Sequence, residues 1–286
     1  MIAITGASGQ LGRLVIKALL ETVPAGELVA AVRSPEKVAD LAALGVEVRH
    51  ADYDSPESLK TAFAGVEKLL LISSSEVGKR TPQHKAVIEA ASQNGVKMLA
   101  YTSILHCDTS PLMLAAEHKE TEAALRDSGL PHVLLRNGWY TENYTAGIPA
   151  ALENGAILGC AGRGRLASAS RADYAAAAAA VLTATEGQAG RTYELAGDDA
   201  WSLTDLAAEL SKQCGKEIAY RDMPESDYCV AMIGIGLPEP FAAALADAER
   251  GIANGALFDD SHQLSRLIGH PTVVLAESIA GALTAE

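Results

Sequence analysis

Short apolar runs alternate with helical patterns along the first half of the chain. The apolar runs occupy residues 1–5, 28–32, 46–48, 69–72, 98–101 and 132–135, each too short for a helix. Amphipathic stretches with helical spacing lie between them, at residues 11–20, 36–44, 58–63, 82–94 and 115–127. Strands that alternate with helices build parallel sheets with right-handed crossovers. The pattern predicts an α/β fold, a doubly wound parallel sheet of the Rossmann type.

A glycine-rich turn separates the first predicted strand from the first predicted helix. It carries Gly6, Gly9 and Gly12 in the spacing G-x-x-G-x-x-G. In a dinucleotide site one glycine makes the tight turn, another lets the backbone approach a pyrophosphate, and the third lets the helix pack close to the strand. The diphosphate then binds at the helix N-terminus. A plain turn is the alternative, but the strand and helix around the motif favour a dinucleotide site.

The alternation fades after about residue 136. Helical patterns follow at residues 141–154, 173–185, 203–213 and 264–268, with a brief strand-like piece at 192–195. We expect residues 1–136 to form the nucleotide-binding domain, with later segments returning to it. Residues 137–286 are expected to form mainly a smaller, mostly helical substrate-binding lobe, because such folds bind their second ligand above the carboxyl edge of the sheet.

Composition narrows the class of protein. Hydrophobic residues make up 49% and charged residues 21% of 286 residues, which is ordinary globular usage. The 23 Lys and Arg against 36 Asp and Glu give a net charge of −13, which disfavours nucleic acid and anionic membranes. No apolar run reaches the roughly 20 residues of a membrane helix, so we expect a cytoplasmic protein. The four cysteines lack C-x-x-C spacing, so no metal site is expected.

The tips of the second, third and fourth strands indicate which dinucleotide binds. The second strand ends in Arg33 and carries no acidic residue, so its guanidinium suits the 2′-phosphate of NADPH. Asp52, after the third strand, is expected to accept from the adenine amino group; the alternatives are helix capping and a solvent-exposed loop carboxylate. Ser73, Ser74 and Ser75 follow the fourth strand and would lie near the nicotinamide ribose, unless they form a plain serine turn. The sequence predicts an NADP-binding domain.

Three further strings make the likeness more specific. The chain reads LLRNGWY at 134–140, YELAGDDAW at 193–201 and LFDD at 257–260. With these strings, the glycine turn, Arg33 and the serine segment, the sequence resembles the atypical short-chain dehydrogenase/reductases that include NmrA-like proteins. This resemblance implies NADPH-dependent two-electron reduction of a small planar quinone by direct hydride transfer, without flavin. The alternative is an NmrA-like redox sensor that binds NADP(H) without turnover and regulates a partner protein.

The resemblance also implies the roles of individual residues. The pyrophosphate would contact Gly6, Ala7, Ser8, Gly9, Gln10 and Leu11. The segment after the sixth strand would line the cofactor with Asn137, Gly138, Trp139, Tyr140, Thr141 and Glu142. Arg171 is a weaker cofactor candidate. Tyr140, Tyr144 and Phe258 are candidates for substrate binding, with core packing as the alternative for the tyrosines. Related folds often dimerise, so a homodimer is the expected assembly.

The chain departs from the superfamily at its usual proton donor. Ordinary members use Tyr-x-x-x-Lys on the helix after the fifth strand, whereas the alignment places Leu114 at the tyrosine and His118 at the lysine. A quinone tolerates this loss, because hydride addition gives a comparatively stable hydroquinone anion that solvent can protonate. His118 and Lys119 are the candidate catalytic residues that stabilise the developing oxyanion or hold the cofactor. A purely structural histidine and a solvated lysine are the alternatives.

Overall fold

The computed structural model describes residues 1–185 and 187–284, and the chain divides into two compact units. The first unit comprises Met1–Cys107, Ala116–Asn137 and Arg171–Tyr193. The second comprises Asp108–Ala115, Gly138–Ser170 and Glu194–Glu286. The chain thus leaves the first unit after residue 137 and returns to it for a later helix.

The first unit alternates strands and helices. Its strands are β1 (Ile2–Thr5), β2 (Leu28–Val32), β3 (Glu47–His50), β4 (Lys68–Leu71), β5 (Met98–Ile104) and β6 (His132–Asn137). Its helices are α1 (Gln10–Leu19), α2 (Ala39–Ala43), α3 (Pro56–Ala62), α4 (Arg80–Gln93), α5 (Ala115–Ser128) and, later in the chain, α8 (Arg171–Thr183). A 3₁₀ turn, Pro35–Val38, precedes α2, so the helix predicted at residues 36–44 is split at its start.

The sheet confirms the predicted doubly wound fold. Its seven strands lie in the order β3-β2-β1-β4-β5-β6-β8, where β8 is Thr192–Leu195. The first six strands pair in parallel; Ile2 is in register with Leu28 on one side and Lys68 on the other. The strand order reverses direction between β1 and β4. Parallel α/β sheets bind ligands outside the carboxyl ends of the strands at such a switch point.

Helices α1 and α8 pack against each other within the first unit. The alanine run of α8 has small side chains, and Ala177 and Ala178 in it are buried, which suits close packing of helices. The end of α8 is tied to the sheet by Lys68, whose Nζ donates to the carbonyl oxygens of Leu182 at 2.7 Å and Ala184 at 2.8 Å. The first unit therefore depends on a segment that follows residue 170.

The second unit is mostly helical. It contains α6 (Glu142–Thr145), α7 (Ile148–Asn154), β7 (Ala156–Gly159), α9 (Leu203–Cys214), β9 (Ala219–Asp222), α10 (Glu225–Gly234), α11 (Glu239–Ala253), α12 (Gln263–Ile268) and α13 (Leu275–Thr284). Strands β7 and β9 pair in parallel as a separate two-stranded sheet. The single helix predicted at residues 141–154 is wrong: it is two helices, and Pro149 lies in the first turn of the second. Proline favours that position because it has no N–H to donate and its φ angle suits a helix start.

Among the residues that the structure describes, no helix combines the length and the apolar character needed to span a bilayer.

Candidate cofactor and active site

The glycine turn after β1 has the backbone geometry that the motif requires. Gly6 adopts a φ of +59°, and the Gly9 N–H donates to its carbonyl oxygen at 2.9 Å. A Cβ on Gly12 would lie 2.5 Å from Gly6 O and 2.7 Å from Ala7 Cα, both backbone atoms. Gly9 is the N-cap of α1, and glycine has no side chain with which to cap the first turn. The first-turn N–H groups can therefore serve a bound diphosphate.

A cleft of about 300 Å³ opens at the carboxyl ends of β1 to β4. It brings together eight of the predicted cofactor residues: Gly6, Ser8, Gly9, Arg33, Asp52, Ser73, Ser74 and Ser75. Ala7 is fully buried, Leu11 is nearly buried, and Gln10 is exposed. None of these three is among the described residues that line the cleft. The cleft residues that the sequence analysis missed include Lys37, Tyr53, Glu76 and Gln83.

Two cations lie at the β2 side of the cleft. Arg33 follows β2 and its side chain is 65% exposed, whereas Lys37 lies on the 3₁₀ turn just beyond it. The Arg33 Nη1 is 3.0 Å from Glu76 Oε1, so the guanidinium already has a carboxylate partner. Arg33 and Lys37 give this end of the cleft the charge that a 2′-phosphate requires. Lys37 could have been predicted from its position one turn past the strand tip.

Asp52 does not cap a helix, because the N-cap of α3 is Ser55, and its contact with the adenine stays a prediction. It lines the cleft, and its Oδ1 also accepts from the Asp54 N–H at 3.0 Å in a local turn. Nearby, the Gln83 Oε1 is buried and has no hydrogen-bond partner among the described residues. At the carboxyl end of β6 the same holds for Asn137 Oδ1 within the described chain. Buried acceptors without partners are rare and suit a ligand that donates hydrogen bonds, such as a nicotinamide amide or a ribose hydroxyl.

The serine segment after β4 is held by side chains beneath it. The Ser73 N–H donates to Thr102 Oγ1 at 2.9 Å, and the Ser74 N–H donates to His84 Nε2 at 2.9 Å. Because that N–H must donate, His84 Nε2 carries no proton, and its Nδ1–H donates to Thr121 Oγ1 at 2.9 Å. Sequence analysis missed His84, because its partner lies on a loop before its own helix and periodicity does not show such a contact.

His118 is a buried histidine on α5. Its exposure is 5%, and its Nδ1 lies 2.7 Å from the Tyr101 hydroxyl. Its Nε2 lies 3.5 Å from Arg80 Nη1. Burial, reinforced by the positive charge of Arg80, lowers the pKa of His118 to about 3, so the ring is neutral at pH 7. Lys119, the next residue, is exposed. Neither His118 nor Lys119 is among the described residues that line the cleft. Their catalytic roles stay predictions.

The two neutral histidines make the fold sensitive to acid. Burial lowers the pKa of His84 to about 3, as it does for His118. In the unfolded chain both would bind a proton near pH 6.5, so stability falls as pH decreases from about 6.5 toward 3. We expect a loss of about 2 kcal/mol for each histidine at pH 5 relative to pH 7. Urea unfolding at the two pH values measures it, and His84→Gln should remove its own share. An equal change in stability between the two pH values for the parent protein and for His84→Gln would contradict this, because every other titratable group contributes to both proteins alike.

The predicted substrate residue Tyr144 has a defined setting in the second unit. Its hydroxyl donates to Glu249 Oε1 at 3.1 Å, and its ring packs edge-on against Trp201 with centroids 5.1 Å apart. Glu249 is 3% exposed and accepts from the Cys160 N–H at 3.2 Å. Burial raises the pKa of its carboxyl to about 7. Sequence analysis missed Glu249, because its helix lies about a hundred residues beyond Tyr144.

The other predicted residues of the second unit also have defined places. Tyr140 forms an isolated bridge with Ala169, and the Ala169 N–H donates to Trp139 O at 3.1 Å. Residues 138–140 form no helix, as expected from adjacent aromatic residues. Thr141 is buried, with its Oγ1 2.8 Å from Ser168 Oγ, while Phe258 is 41% exposed. The roles of Gly138, Trp139, Tyr140, Thr141, Glu142, Arg171, Tyr144 and Phe258 toward a ligand stay predictions.

Comparisons with known proteins establish the family. A family model described as NAD(P)H-binding matches residues 6–185. The chain is 60% identical over 280 residues to Quinone oxidoreductase 2 of Escherichia coli K12, covering 98% of each sequence. This chain therefore belongs to the NAD(P)H-binding family. The match to this quinone oxidoreductase confirms the resemblance to NADPH-dependent reductases inferred from the sequence.

Two solved structures share the whole fold. The NADPH-dependent quinone oxidoreductase of E. coli, crystallised with NADPH, has a TM-score of 0.96 at 59% identity and covers 99% of this chain and 100% of its own. The triphenylmethane reductase of Citrobacter sp., crystallised with NADP(H), has a TM-score of 0.95 at 41% identity with the same coverage.

Proposed function

We infer that this protein catalyses NADPH-dependent two-electron reduction of quinones by direct hydride transfer, without flavin. The observation that carries this conclusion is the 60% identity, over 98% of both chains, to a quinone oxidoreductase. The glycine turn and the cationic end of the cleft fit the cofactor. The match favours a reductase over the NADP(H)-binding regulator considered from the sequence.

Within the first unit, the residues suggest distinct roles toward NADPH. The glycine turn offers backbone N–H groups to the pyrophosphate, and Arg33 with Lys37 offers positive charge to the 2′-phosphate. Asp52 is proposed to accept from the adenine amino group. The serine segment 73–75, held by Thr102 and His84, is proposed to support the nicotinamide ribose.

Bound NADPH supplies the hydride. Positioning the quinone is then the main task of the protein. A proton donor in the site is not needed, because the hydroquinone anion that forms is stable enough for solvent to protonate. This fits the absence of tyrosine from position 114, where the superfamily has its proton donor. We propose that the neutral His118 acts through its hydrogen bond to Tyr101, by holding the α5 helix against β5, rather than as a charged acid. Tyr140, Tyr144 and Phe258 are proposed to contact a small planar quinone.

Quinone reduction is tested by following NADPH oxidation with a panel of benzoquinones and naphthoquinones, using protein free of flavin by absorbance. We expect turnover with NADPH in excess of that with NADH. A triphenylmethane dye belongs in the same panel, because the triphenylmethane reductase of Citrobacter sp., which has a similar fold, is described in connection with bioremediation of triphenylmethane dyes. Tight NADPH binding without hydride transfer to any quinone would overturn the proposal.

Arg33→Ala tests the cofactor preference. Losing a charge-assisted contact to the 2′-phosphate should weaken NADPH binding by about 10- to 100-fold and leave NADH binding within about twofold. Arg126→Ala, an exposed arginine on α5 that does not line the cleft, is the matched control. Dissociation constants follow from NADPH and NADH fluorescence titrations. Equal losses for both cofactors would contradict the assignment of Arg33.

We further propose that the protein acts in the cytoplasm and forms a homodimer. Fractionation of cells tests the first statement. Sedimentation of the purified protein at several concentrations tests the second, and a monomer mass throughout would overturn it.

A further inference from the structure

The loop at residues 72–79, between β4 and α4, is anchored at both ends within the first unit. At its start, Thr102 and His84 accept from the Ser73 and Ser74 N–H groups. At its end, the Glu117 carboxylate accepts from the Gly78 N–H at 3.1 Å and the Arg80 N–H at 3.0 Å. The middle of the loop is therefore held in place, and Glu76 lies there.

Glu76 points its carboxylate at the same guanidinium that the 2′-phosphate is proposed to use. Its Oε1 lies 3.0 Å from Arg33 Nη1, and its Oε2 lies 3.6 Å from Lys79 Nζ. The Glu76 N–H donates to Ser74 Oγ at 3.1 Å, which fixes the backbone of the residue. Both Arg33 and Glu76 line the cleft, and the Glu76 side chain is 34% exposed. A negative charge thus faces the cationic end of the cleft.

We propose that Glu76 is a specificity-determining residue that competes with the 2′-phosphate for Arg33 and so limits the preference for NADPH over NADH. A phosphate monoester carries a charge of about −1.5 to −2 at pH 7, so it must displace the carboxylate from Arg33 or bind beside it against repulsion. NADH brings a neutral 2′-hydroxyl, which can donate to the carboxylate. This inference rests on the proposed binding of NADPH at Arg33.

The consequence is a cofactor site tuned for exchange. Competition weakens binding of both NADPH and NADP⁺, because both carry the 2′-phosphate. Release of NADP⁺ must precede each new hydride transfer, so a weaker hold on it favours turnover where product release limits the rate. Glu76 would therefore lower the affinity for NADPH and NADP⁺ and raise the rate at which the cofactor is exchanged.

Glu76→Gln tests the inference with little change in shape. We expect NADPH and NADP⁺ to bind about three- to tenfold more tightly, since an exposed ion pair and a nearby repulsive charge are each worth little. NADH binding should stay the same or weaken by about twofold. The dissociation constants are measured by calorimetry and fluorescence without quinone, and the gain should shrink as salt is raised. Glu47→Gln is the control. The Glu47 Oε1 pairs with Arg49 Nε at a distance of 2.9 Å, and this pair does not line the cleft.

Unchanged or weaker NADPH binding in Glu76→Gln, with an unchanged melting temperature, overturns the inference. The double variant Arg33→Ala with Glu76→Gln separates the two causes: without Arg33, only the relief of repulsion remains, so the gain should be smaller. If Arg33→Ala leaves NADPH binding unchanged, the proposed cofactor contact fails instead. These measurements involve no quinone, so they stand apart from any failure of quinone turnover.

Discussion

Gly12→Ala is expected to weaken NADPH binding by about 100-fold or more and to destabilise the protein. The added Cβ would lie 2.5 Å from Gly6 O and 2.7 Å from Ala7 Cα. Both are backbone atoms, so the strand-to-helix turn itself has to move and displaces the N–H groups that serve the pyrophosphate, and each hydrogen bond lost to a charged group is worth about 1.5–3 kcal/mol. Overpacking of this kind costs about 1–3 kcal/mol. Fluorescence titration and urea unfolding measure the two effects.

Gly281→Ala is the matched control for this substitution. Gly281 also lies inside a helix, but among the described residues no heavy atom outside the helix's own backbone and the two chain neighbours lies within 4 Å of a Cβ built there. Alanine favours helices over glycine by up to about 1 kcal/mol, so Gly281→Ala should be neutral or stabilising and leave NADPH binding unchanged. Normal NADPH affinity in Gly12→Ala would show that the close approach of helix and turn is not needed for the cofactor.

Glu122→Gln should have the second large effect, a loss of about 3–5 kcal/mol in the free energy of unfolding. The Glu122 side chain is 1% exposed and lies 2.7 Å from Arg136 Nη2 and 3.0 Å from Arg136 Nε. The Ser103 hydroxyl donates to the same carboxylate at 2.6 Å. The neutral amide leaves a buried guanidinium without its carboxylate, and burying a charge in that way is costly. Urea unfolding with and without NADPH gives the change.

Two further variants separate the cost of an unpaired buried charge from the cost of a lost contact. Replacing both partners, as in Glu122→Leu with Arg136→Met, should recover much of the stability, because two apolar groups need no partner. Glu47→Gln breaks an exposed pair with Arg49 and should cost about 1 kcal/mol or less. If Glu122→Gln and Glu47→Gln lose equal stability, burial is not what makes the Glu122 pair important.

The sequence was most informative where one residue type suits one backbone position. Gly6 and Gly12 could be predicted because a positive φ and a close helix contact each favour glycine. Arg33 and the serine segment followed from the rule that the carboxyl ends of parallel strands meet at one edge. The structure places Gly6, Arg33 and the serine segment at one cleft. The local pattern was sufficient for these residues, because a parallel sheet brings the carboxyl ends of its strands together at one edge.

Contacts between distant segments could not be predicted in the same way. His84 reaches a loop ten residues earlier, and Glu249 accepts from a tyrosine 105 residues before it. Helices α10, α11 and α13 were missed. In α10 apolar residues occur on all sides: Tyr228 is buried while Val230 and Ile233 are exposed, so no amphipathic stripe marks the helix. The helix break before Pro149, in contrast, could have been predicted from the sequence, because proline favours the first turn of a helix.

The return of the chain to its first unit governs when that unit can be completed during synthesis. Helix α1 leaves the ribosome first, yet α8, which packs against it, is made only after residue 170. Until then Val15, Ile16 and Leu19, all fully buried in the finished protein, lack that neighbouring helix. A fragment that ends at residue 136 would keep the glycine turn but lose α8. We therefore expect such a fragment to aggregate, and a useful minimal cofactor-binding piece to extend at least through Tyr193.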